Sequence, residues 1–289
     1  MTLVDDPLLT VASATRLGTQ HLQRVAEQPR REAQVLLADS LGVTTTWLQA
    51  HPEAELSKVA AEAFVRQLER RATGTPLPYV LGWWEFFGRR FRVTPQVLIP
   101  RPETELLVEH GLNWLLHQPG EPRLLDVGTG SGCIAVSLAA GAPECQAVAT
   151  DLSSAALRIA RANAEQHGVG ARLALVQADL ARGLAGGFDL VCANLPYLPT
   201  AELPQWDVSR WEPLPALDGG SGGTEVIRRL LPALPGLLCA DGMVLLEIGA
   251  GQEAQVLGSL AEALPGWRAQ SIADLAGIPR VIELKRGEA

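Results

Sequence analysis

The chain has 289 residues, which at roughly 150 residues per domain is enough for about two domains that each bury a core. Its 47% hydrophobic and 19% charged residues exclude a disordered or fibrous protein. The net charge of −8 is concentrated in residues 101–289, which hold 13 basic and 22 acidic side chains, and this argues against a protein that relies on binding nucleic-acid phosphates.

The four cysteines are Cys133, Cys145, Cys192 and Cys239. They form no CxxC pair and have no histidine at zinc-ligand spacing, so we expect no metal site and a reducing compartment. Asp5 and Asp6 lie where a signal peptide would carry positive charge, and prolines interrupt the apolar stretch 230–249. We therefore expect a cytoplasmic protein that does not associate with membranes.

Residues from about Asp6 to Ala72 show a helical pattern, in which apolar residues recur at spacings of three and four. Gly42 interrupts the pattern, and Gly74-Thr75-Pro76 ends it. The spacing predicts a small helical bundle over residues 1–75.

Residues 76–102 are rich in aromatic and β-branched side chains with turn residues between them, from Tyr79 and Val80 to Phe91 and Val93. This texture predicts a β-hairpin that links two domains. Arg101-Pro102-Glu103 is typical of a helix start, because proline fits the first turn and acidic side chains favour the helix amino end. We therefore expect the second domain to cover residues 103–289.

In this second region short apolar runs alternate with helical patterns. The predicted strands cover 124–127, 147–150, 173–176, 188–193, 243–248, 268–272 and 281–284, and the predicted helices cover 132–140, 153–167 and 252–264. Such alternation is typical of an α/β fold, a doubly wound Rossmann-like sheet that is mostly parallel. The last two strands lie too close in sequence for a crossover helix, so we expect them to pair antiparallel.

A glycine-rich stretch follows the first predicted strand of the sheet and precedes a helix. The spacing Gly-x-Gly-x-Gly differs from the Gly-x-Gly-x-x-Gly of dinucleotide dehydrogenases, and a Walker lysine is absent. The form is that of the nucleoside-binding turn of S-adenosylmethionine-dependent methyltransferases; a plain strand-to-helix turn is the minor alternative. The predicted cofactor-binding residues here are Asp126, Gly128, Thr129, Gly130, Ser131 and Gly132.

Two later acidic residues are candidates for the same ligand. Asp151 follows the next strand, where its carboxylate can accept both ribose hydroxyls; Ser153 is the better candidate for capping the following helix. Asp179, with Leu180 beside it, follows the third strand, where its carboxylate can accept the adenine amino group. An ordinary aspartate at a strand end is nearly as good an interpretation of Asp179.

The sequence Asn194-Leu195-Pro196-Tyr197 follows the strand 188–193 and indicates the chemistry. An amide or aromatic amine is a poor nucleophile because its lone pair is delocalised. If the side-chain oxygen of Asn194 and the backbone carbonyl of Leu195 each accept one N–H, the nitrogen is held with its lone pair toward a methyl donor. We therefore predict that these four residues bind the substrate and are catalytic, with Asn194 also beside the cofactor and Tyr197 against the planar group.

The chain resembles the release-factor glutamine methyltransferases, the HemK-type family, over nearly its whole length. The family motifs are Pro78-Tyr79-Val80-Leu81-Gly82, the stretch from Leu98 to Glu105, the glycine turn, Asn194 to Tyr197, Glu212-Pro213, and Asp274-Leu275-Ala276-Gly277 before Arg280. The resemblance implies methyl transfer from S-adenosylmethionine, leaving S-adenosylhomocysteine, to the side-chain amide nitrogen (N5) of the glutamine in the Gly-Gly-Gln loop of class I release factors. It also implies a helical domain that docks the release factor, and we expect a monomer without a stable nucleic-acid partner.

The chain departs from the family at one position, because Leu195 replaces the first proline of Asn-Pro-Pro-Tyr. Losing that ring should loosen the turn slightly, although the carbonyl at this position is retained. Asn-Leu-Pro-Tyr also occurs in ribosomal RNA adenine dimethyltransferases, so an N6-adenine methyltransferase acting on RNA or DNA is the second hypothesis. A catalytically silent adaptor is the third, and the intact motifs rank it last.

Overall fold

The computed structural model describes residues 9–287, except for the side chains of Asp207 and Val208. The part of the predicted helical pattern near Asp6 lies outside the described residues. The chain divides into two compact units, Met1–Trp83 and Trp84–Ala289, and the division falls inside the predicted linker. Within residues 9–287, no helix is both long and apolar enough to cross a membrane.

The first unit is helical, as predicted. Its helices are α1 (Val11–Leu22), α2 (Pro29–Leu41), α3 (Thr45–Ala50), α4 (Lys58–Ala72) and α5 (Leu77–Leu81). Threonine or serine side chains cap α1, α3 and α4, and Gly42 ends α2 in the left-handed region. Leu22, Leu36 and Phe64 are fully buried where these helices pack together.

Helix α5 corrects one expectation, because Tyr79 and Val80 lie in a helix and not in a strand. Gly82, at a φ of 81°, ends this helix. Arg70 donates to the carbonyls of Tyr79 and Val80 at 2.9 and 3.2 Å, so their main-chain acceptors have partners without strand pairing.

A hairpin follows, formed by β1 (Trp83–Phe86) and β2 (Arg89–Arg92). Its two turn residues, Phe87 and Gly88, both have positive φ values of 50° and 66°. Such turns match the twist of paired strands. The predicted hairpin is therefore present but shorter than the segment 76–102.

The second unit contains a seven-stranded sheet with helices packed against it. In chain order its elements are α6 (Thr104–Leu116), β3 (Arg123–Val127), α7 (Cys133–Gly141), β4 (Gln146–Asp151), α8 (Ser154–Gln166), β5 (Leu173–Gln177), β6 (Phe188–Ala193), α9 (Glu225–Leu230), α10 (Leu234–Leu237), β7 (Leu238–Glu247), α11 (Glu253–Ala263), β8 (Arg268–Ala273) and β9 (Pro279–Lys285). The strand order is β5-β4-β3-β6-β7-β9-β8, in which only β9 pairs antiparallel, with β7 and β8. The predicted fold class is confirmed.

The register of the parallel strands determines where the residues that follow them meet. Val127 of β3 pairs with Thr150 of β4 and Ala193 of β6, and Ala193 pairs with Leu246 of β7. Because these strands are parallel, the residues that follow them meet at one carboxyl edge, where ligands of doubly wound sheets bind. Alternate residues of β3, β6, β7 and β9 enter two apolar clusters, one on either side of the sheet.

Two boundaries differ from the predictions. Helix α6 begins at Thr104 rather than at Arg101, and Glu103 precedes it without a capping hydrogen bond from its side chain. Strand β7 begins at Leu238, five positions before the predicted start, because Phe188 of β6 pairs with Leu238 across a register shift.

Candidate active site

The glycine-rich turn after β3 is held against the end of β4. The N–H groups of Gly128 and Thr129 both donate to the carbonyl of Thr150, at 2.9 and 2.8 Å. Gly132 then donates to the carbonyl of Thr129 at 2.8 Å, and α7 begins. The turn is therefore anchored before any ligand binds.

Asp126 lies beneath this turn and is fully buried. One carboxylate oxygen accepts from the Thr129 hydroxyl at 2.6 Å and from the N–H of Ala135 at 3.3 Å. Burial raises the pKa of Asp126 to about 7, and its other oxygen has no hydrogen-bond partner among residues 9–287. In this arrangement Asp126 holds the turn and the start of α7 in place from inside the protein.

Gly130 and Gly132 serve different purposes. Both have positive φ, 56° and 81°. A Cβ on Gly130 would meet no atom within 4 Å, whereas one on Gly132 would lie 3.1 Å from the Cβ of Ala160. Gly132 thus allows α7 and α8 to pack closely, while Gly130 leaves open space above the turn, which a ligand can approach. Ser131, between them, is buried.

Asp151, at the end of β4, joins the turn to the start of α8. Its carboxylate accepts from the N–H of Gly130 at 2.9 Å and from that of Ser153 at 2.8 Å. Ser153 caps α8 through its own hydroxyl, which accepts from Ala156, so Asp151 is not the cap. Asp151 is half-buried beside the open space over Gly130, with lone pairs remaining for further donors.

Asp179 and Leu180 follow β5 on the same edge of the sheet. Leu180 has a φ of 56°, in the left-handed region that residues with a Cβ seldom adopt. Asp179 accepts from Arg229 of α9 at 2.6 Å, in a pair whose side chains are 43% and 56% exposed. The carboxylate is therefore paired but accessible to water.

Asn194 follows β6, and interior groups orient its amide. Its Nδ2 donates to the hydroxyl of Thr104, the first residue of α6, at 3.0 Å. Glu247, the last residue of β7, is 2% exposed, and burial raises its pKa to about 7 although the neighbouring Thr104 and Asn194 lower it. With the amide nitrogen of Asn194 turned toward Thr104, its amide oxygen is turned away from that hydroxyl.

Leu195 brings this motif onto the glycine turn. It is buried, and a Cβ on Gly128 would lie 3.0 Å from its Cδ2. The side chain therefore occupies the space over Gly128, and the chain between β6 and Tyr197 lies against the turn after β3.

Tyr197 is framed by glycines that sequence reasoning did not single out. A Cβ on Gly219 would lie 2.7 Å from the Cα of Tyr197, and one on Gly249 would lie 3.1 Å from its ring. The carbonyl of Tyr197 accepts from Gln252 at 2.7 Å. Burial raises the pKa of Tyr197 to about 12, so its hydroxyl is neutral at physiological pH. Pro196 is half-buried between Leu195 and Tyr197.

The segment before α6 contacts a buried carboxyl group later in the chain. Arg101 donates to Glu212 at 2.6 Å, and the side chain of Glu212 is fully buried. The N–H of Ile99 also reaches Glu212, at 3.4 Å. The two family motifs around Arg101 and Glu212 are therefore in direct contact in the structure. Burial raises the pKa of the Glu212 carboxyl group.

The structure adds three site residues that were not predicted: Thr104, Asn163 and Glu247. Asn163 of α8 is fully buried, donates to the carbonyl of Ser131 at 2.8 Å and exchanges hydrogen bonds with the main chain of Arg92. The sequence contained a signal for two of them. Thr104 lies inside the family motif from Leu98 to Glu105, and Glu247 is an acidic residue at the end of an apolar run. The position of Asn163 within a helical pattern carried none.

Known protein families match segments of both units of the chain. A family model described as "PrmC N-terminal domain" matches residues 13–82, and one described as "Methyltransferase domain" matches residues 124–207. A methyltransferase structure from Pyrococcus furiosus, 20% identical, covers 70% of this chain and 91% of its own with a TM-score of 0.52, and shares the fold.

Two relatives are similar over nearly their whole length. The release factor glutamine methyltransferase of Moorella thermoacetica is 44% identical over 266 residues, covering 91% of this chain and 93% of its own. The protein of the same name from Bradyrhizobium diazoefficiens is 36% identical over 290 residues, covering 98% of each chain. The chain belongs to the release factor glutamine methyltransferase family.

Proposed function

We propose that this protein transfers a methyl group from S-adenosylmethionine to the side-chain amide nitrogen of the glutamine in the Gly-Gly-Gln motif of class I peptide-chain release factors. The observation that carries the proposal is the contact of Leu195 with Gly128, which brings Asn194 beside a glycine turn suited to a nucleoside. The relatives' names supply the substrate class.

The residues present fit the cofactor. The open space above Gly130 accommodates a close-lying ligand, and the half-buried carboxylate of Asp151 beside it can accept ribose hydroxyls. The Asp179 carboxylate can accept the adenine amino group, because its side chain is 43% exposed and its oxygens keep lone pairs beyond the one that Arg229 uses. When bound, S-adenosylmethionine supplies an electrophilic methyl group on a sulfonium.

The chain's own residues act by positioning. The oxygen of Asn194 and the carbonyl of Leu195 each accept one N–H of the glutamine amide, which aims the nitrogen lone pair at the methyl carbon. Methyl transfer to this nitrogen would break the S–C bond as the N–C bond forms, and the cationic nitrogen would then release one proton to water. The ring of Tyr197, whose hydroxyl is neutral, lies against the planar amide of the substrate.

The helical unit is proposed as the docking domain, since residues 13–82 match the amino-terminal domain of the relatives. The protein would then act where release factors act, in the cytoplasm. Nothing in the site favours the adenine alternative over the amide, and the surplus of 22 acidic over 13 basic residues in 101–289 disfavours a nucleic-acid substrate.

The test is incubation of the purified protein with labelled S-adenosylmethionine and a class I release factor, followed by mass spectrometry of the Gly-Gly-Gln peptide. We expect one added methyl group on the glutamine side chain, and no label in naked ribosomal RNA or DNA. Label in nucleic acid without label in the factor would contradict the proposal. A release factor whose motif glutamine is replaced by alanine is the matched control substrate.

A further inference from the structure

The turn between β8 and β9 has no part in holding the cofactor or the substrate amide. It covers residues 274–278, with the sequence Asp-Leu-Ala-Gly-Ile. The side chain of Leu275 is fully exposed, at 110% of its reference area, and Ile278 is 36% exposed. A single exposed apolar side chain is common on protein surfaces, so the position of the turn decides what this one indicates.

Hydrogen bonds within the turn fix its shape. The carboxylate of Asp274 accepts from the N–H groups of Ala276 and Ile278 at 2.9 and 3.0 Å, and from the side chain of Arg280 at 3.0 Å. The main-chain N–H of Asp274 also donates to the carbonyl of Ile278 at 2.9 Å. None of these contacts uses the side chain of Leu275. The fold therefore determines where Leu275 is presented but does not need its side chain.

The strand register places this turn at the edge of the sheet where the candidate active site lies. Val281 of β9 pairs with Glu247 at the end of β7, and the N–H of Ile248 donates to the carbonyl of Arg280 at 2.8 Å. Because β9 runs antiparallel to β7, the residues that precede β9 extend past the carboxyl end of β7. Asn194 follows β6 at this same edge.

The turn is also close to the site along this edge. A Cβ on Gly249, the residue after Ile248, would lie 3.1 Å from the ring of Tyr197. Only β7 separates β9 from β6, which at about 4.8 Å per strand is a distance of about 10 Å. A protein interface of standard size covers about 800 Å² of each partner, or a disc of roughly 16 Å radius. A protein partner centred on Asn194 would therefore cover the turn.

Other exposed apolar side chains of the second unit lie at this edge. Among the residues that the structure describes there, the large ones are Leu116, Leu152, Trp206, Leu214, Leu275 and Ile278. Leu116 ends α6 away from the site, and Leu152 follows Asp151 beside the proposed cofactor site. Trp206 and Leu214 lie in the segment that follows Tyr197, which Glu212 ties to Arg101 before α6. Exposed apolar side chains gathered in one region mark an interaction surface.

We propose that Leu275 is a docking residue for the release factor, and that its side chain enters an apolar recess of the factor beside the Gly-Gly-Gln loop. The proposal rests on the proposed function, because the partner is the protein that brings its glutamine to Asn194. The fixed turn favours binding, since a main chain that is already held in place loses little freedom on association. Leu275 contributes to the affinity for the factor and not to the chemical step.

The kinetic test is Leu275→Ser in the full-length protein. We expect the KM for the release factor to rise about 10- to 100-fold, the effect of no longer burying a leucine side chain. The kcat at saturating factor and the dissociation constant of the cofactor should not change. Leu275→Met keeps an apolar side chain of similar volume and should retain the wild-type KM.

Leu116→Ser is the matched control, since Leu116 is 58% exposed at the far end of α6 and should change neither constant. Thermal denaturation should show that all three variants remain as stable as the wild type. Absence of methylation by the wild type would overturn both this proposal and the proposed function. Methylation with a KM that Leu275→Ser leaves unchanged, or shifts no more than Leu116→Ser does, would overturn this proposal alone.

A binding measurement detects the contact without turnover. Cys133, Cys145 and Cys192 are buried, so Leu275→Cys in a Cys239→Ser background carries one accessible thiol for an environment-sensitive fluorophore. We expect its emission to move to shorter wavelength when the release factor is added, and the same label at Leu116→Cys to remain unchanged. A label at position 275 that does not respond to bound factor would refute the contact. A response to the concentration of the labelled protein alone would assign the turn to a second copy of this chain instead, and would equally overturn the proposal.

Discussion

Leu195 packs directly over Gly128, so that a Cβ on the glycine would lie 3.0 Å from the leucine Cδ2. The contact joins the turn after β3 to the turn after β6, which are 67 positions apart in the sequence. The contact compensates for the absence of the usual proline at position 195. Side-chain packing onto the glycine turn supplies restraint that a proline ring would otherwise supply through φ.

Leu195→Ala should therefore weaken cofactor binding and lower kcat together, because both turns lose their shared contact. Its stability should fall by about 2–5 kcal/mol, the usual effect of truncating a buried leucine. Leu264→Ala, which truncates another buried leucine of the same apolar cluster, is the control. It should lower stability comparably without changing cofactor affinity, as calorimetric titration below the unfolding temperature would show.

Asn194→Ala should lower kcat by about 10²- to 10³-fold, the effect of removing one group that aligns a reacting atom. The dissociation constant of the cofactor should change little, because the glycine turn and Asp151 remain in place. Asn113→Ala, at an exposed position on α6, should have no effect on either quantity. Cofactor binding lost in proportion to turnover would contradict the role assigned to Asn194.

Asp151→Asn should weaken cofactor binding by about 10- to 100-fold, because each hydrogen bond to a charged group contributes about 1.5–3 kcal/mol. The asparagine would also bring an N–H donor against the N–H of Gly130 or of Ser153, both of which now donate to the carboxylate. Asp241→Asn, at an exposed position in β7, is the control. Unchanged affinity in Asp151→Asn would exclude it from the binding site.

Gly132→Ala and Gly183→Ala separate backbone strain from packing. The two glycines have almost the same φ, 81° and 82°, but a Cβ on Gly132 would lie 3.1 Å from Ala160 while one on Gly183 would meet nothing within 4 Å. Gly132→Ala should be more destabilising by about 1–3 kcal/mol, the range for overpacking. If the two variants had equal free energies of unfolding in urea, α7 and α8 would accommodate the added methyl group without loss of stability.

Asp126 should make stability depend on pH. Its pKa is raised by burial from 3.8 to about 7, so the folded state binds a proton that the unfolded state has released between these values. This contribution is fully present below about pH 4 and is lost as the pH rises through about 7. The stability of the wild type relative to Asp126→Asn should therefore fall by a few kcal/mol between pH 5 and pH 8. A difference that is constant over this range would show that Asp126 is ionised throughout.

The sequence predicted most of the sheet because its signals are local. The strands β3, β5 and β6 lie within one residue of their predicted bounds at each end, and Ser153 caps α8 as expected. Apolar runs and capping side chains act within a few residues, so they can be read in order along the chain. Helix α5 was missed because its aromatic and β-branched residues favour strands, whereas burial and the hydrogen bonds from Arg70 decided its conformation.

The glycine turn, Asn194 to Tyr197 and the family were all determined by the sequence alone, since each depends on contiguous residues. Only the tertiary structure brought Thr104 to Asn194, across 90 positions, and placed Glu247 behind both. It also shows that Asp126 is fully buried, where its carboxylate accepts from Thr129 and Ala135. The reason is that strand order and burial, which decide what a side chain meets, arise from pairings between distant segments that no local pattern contains.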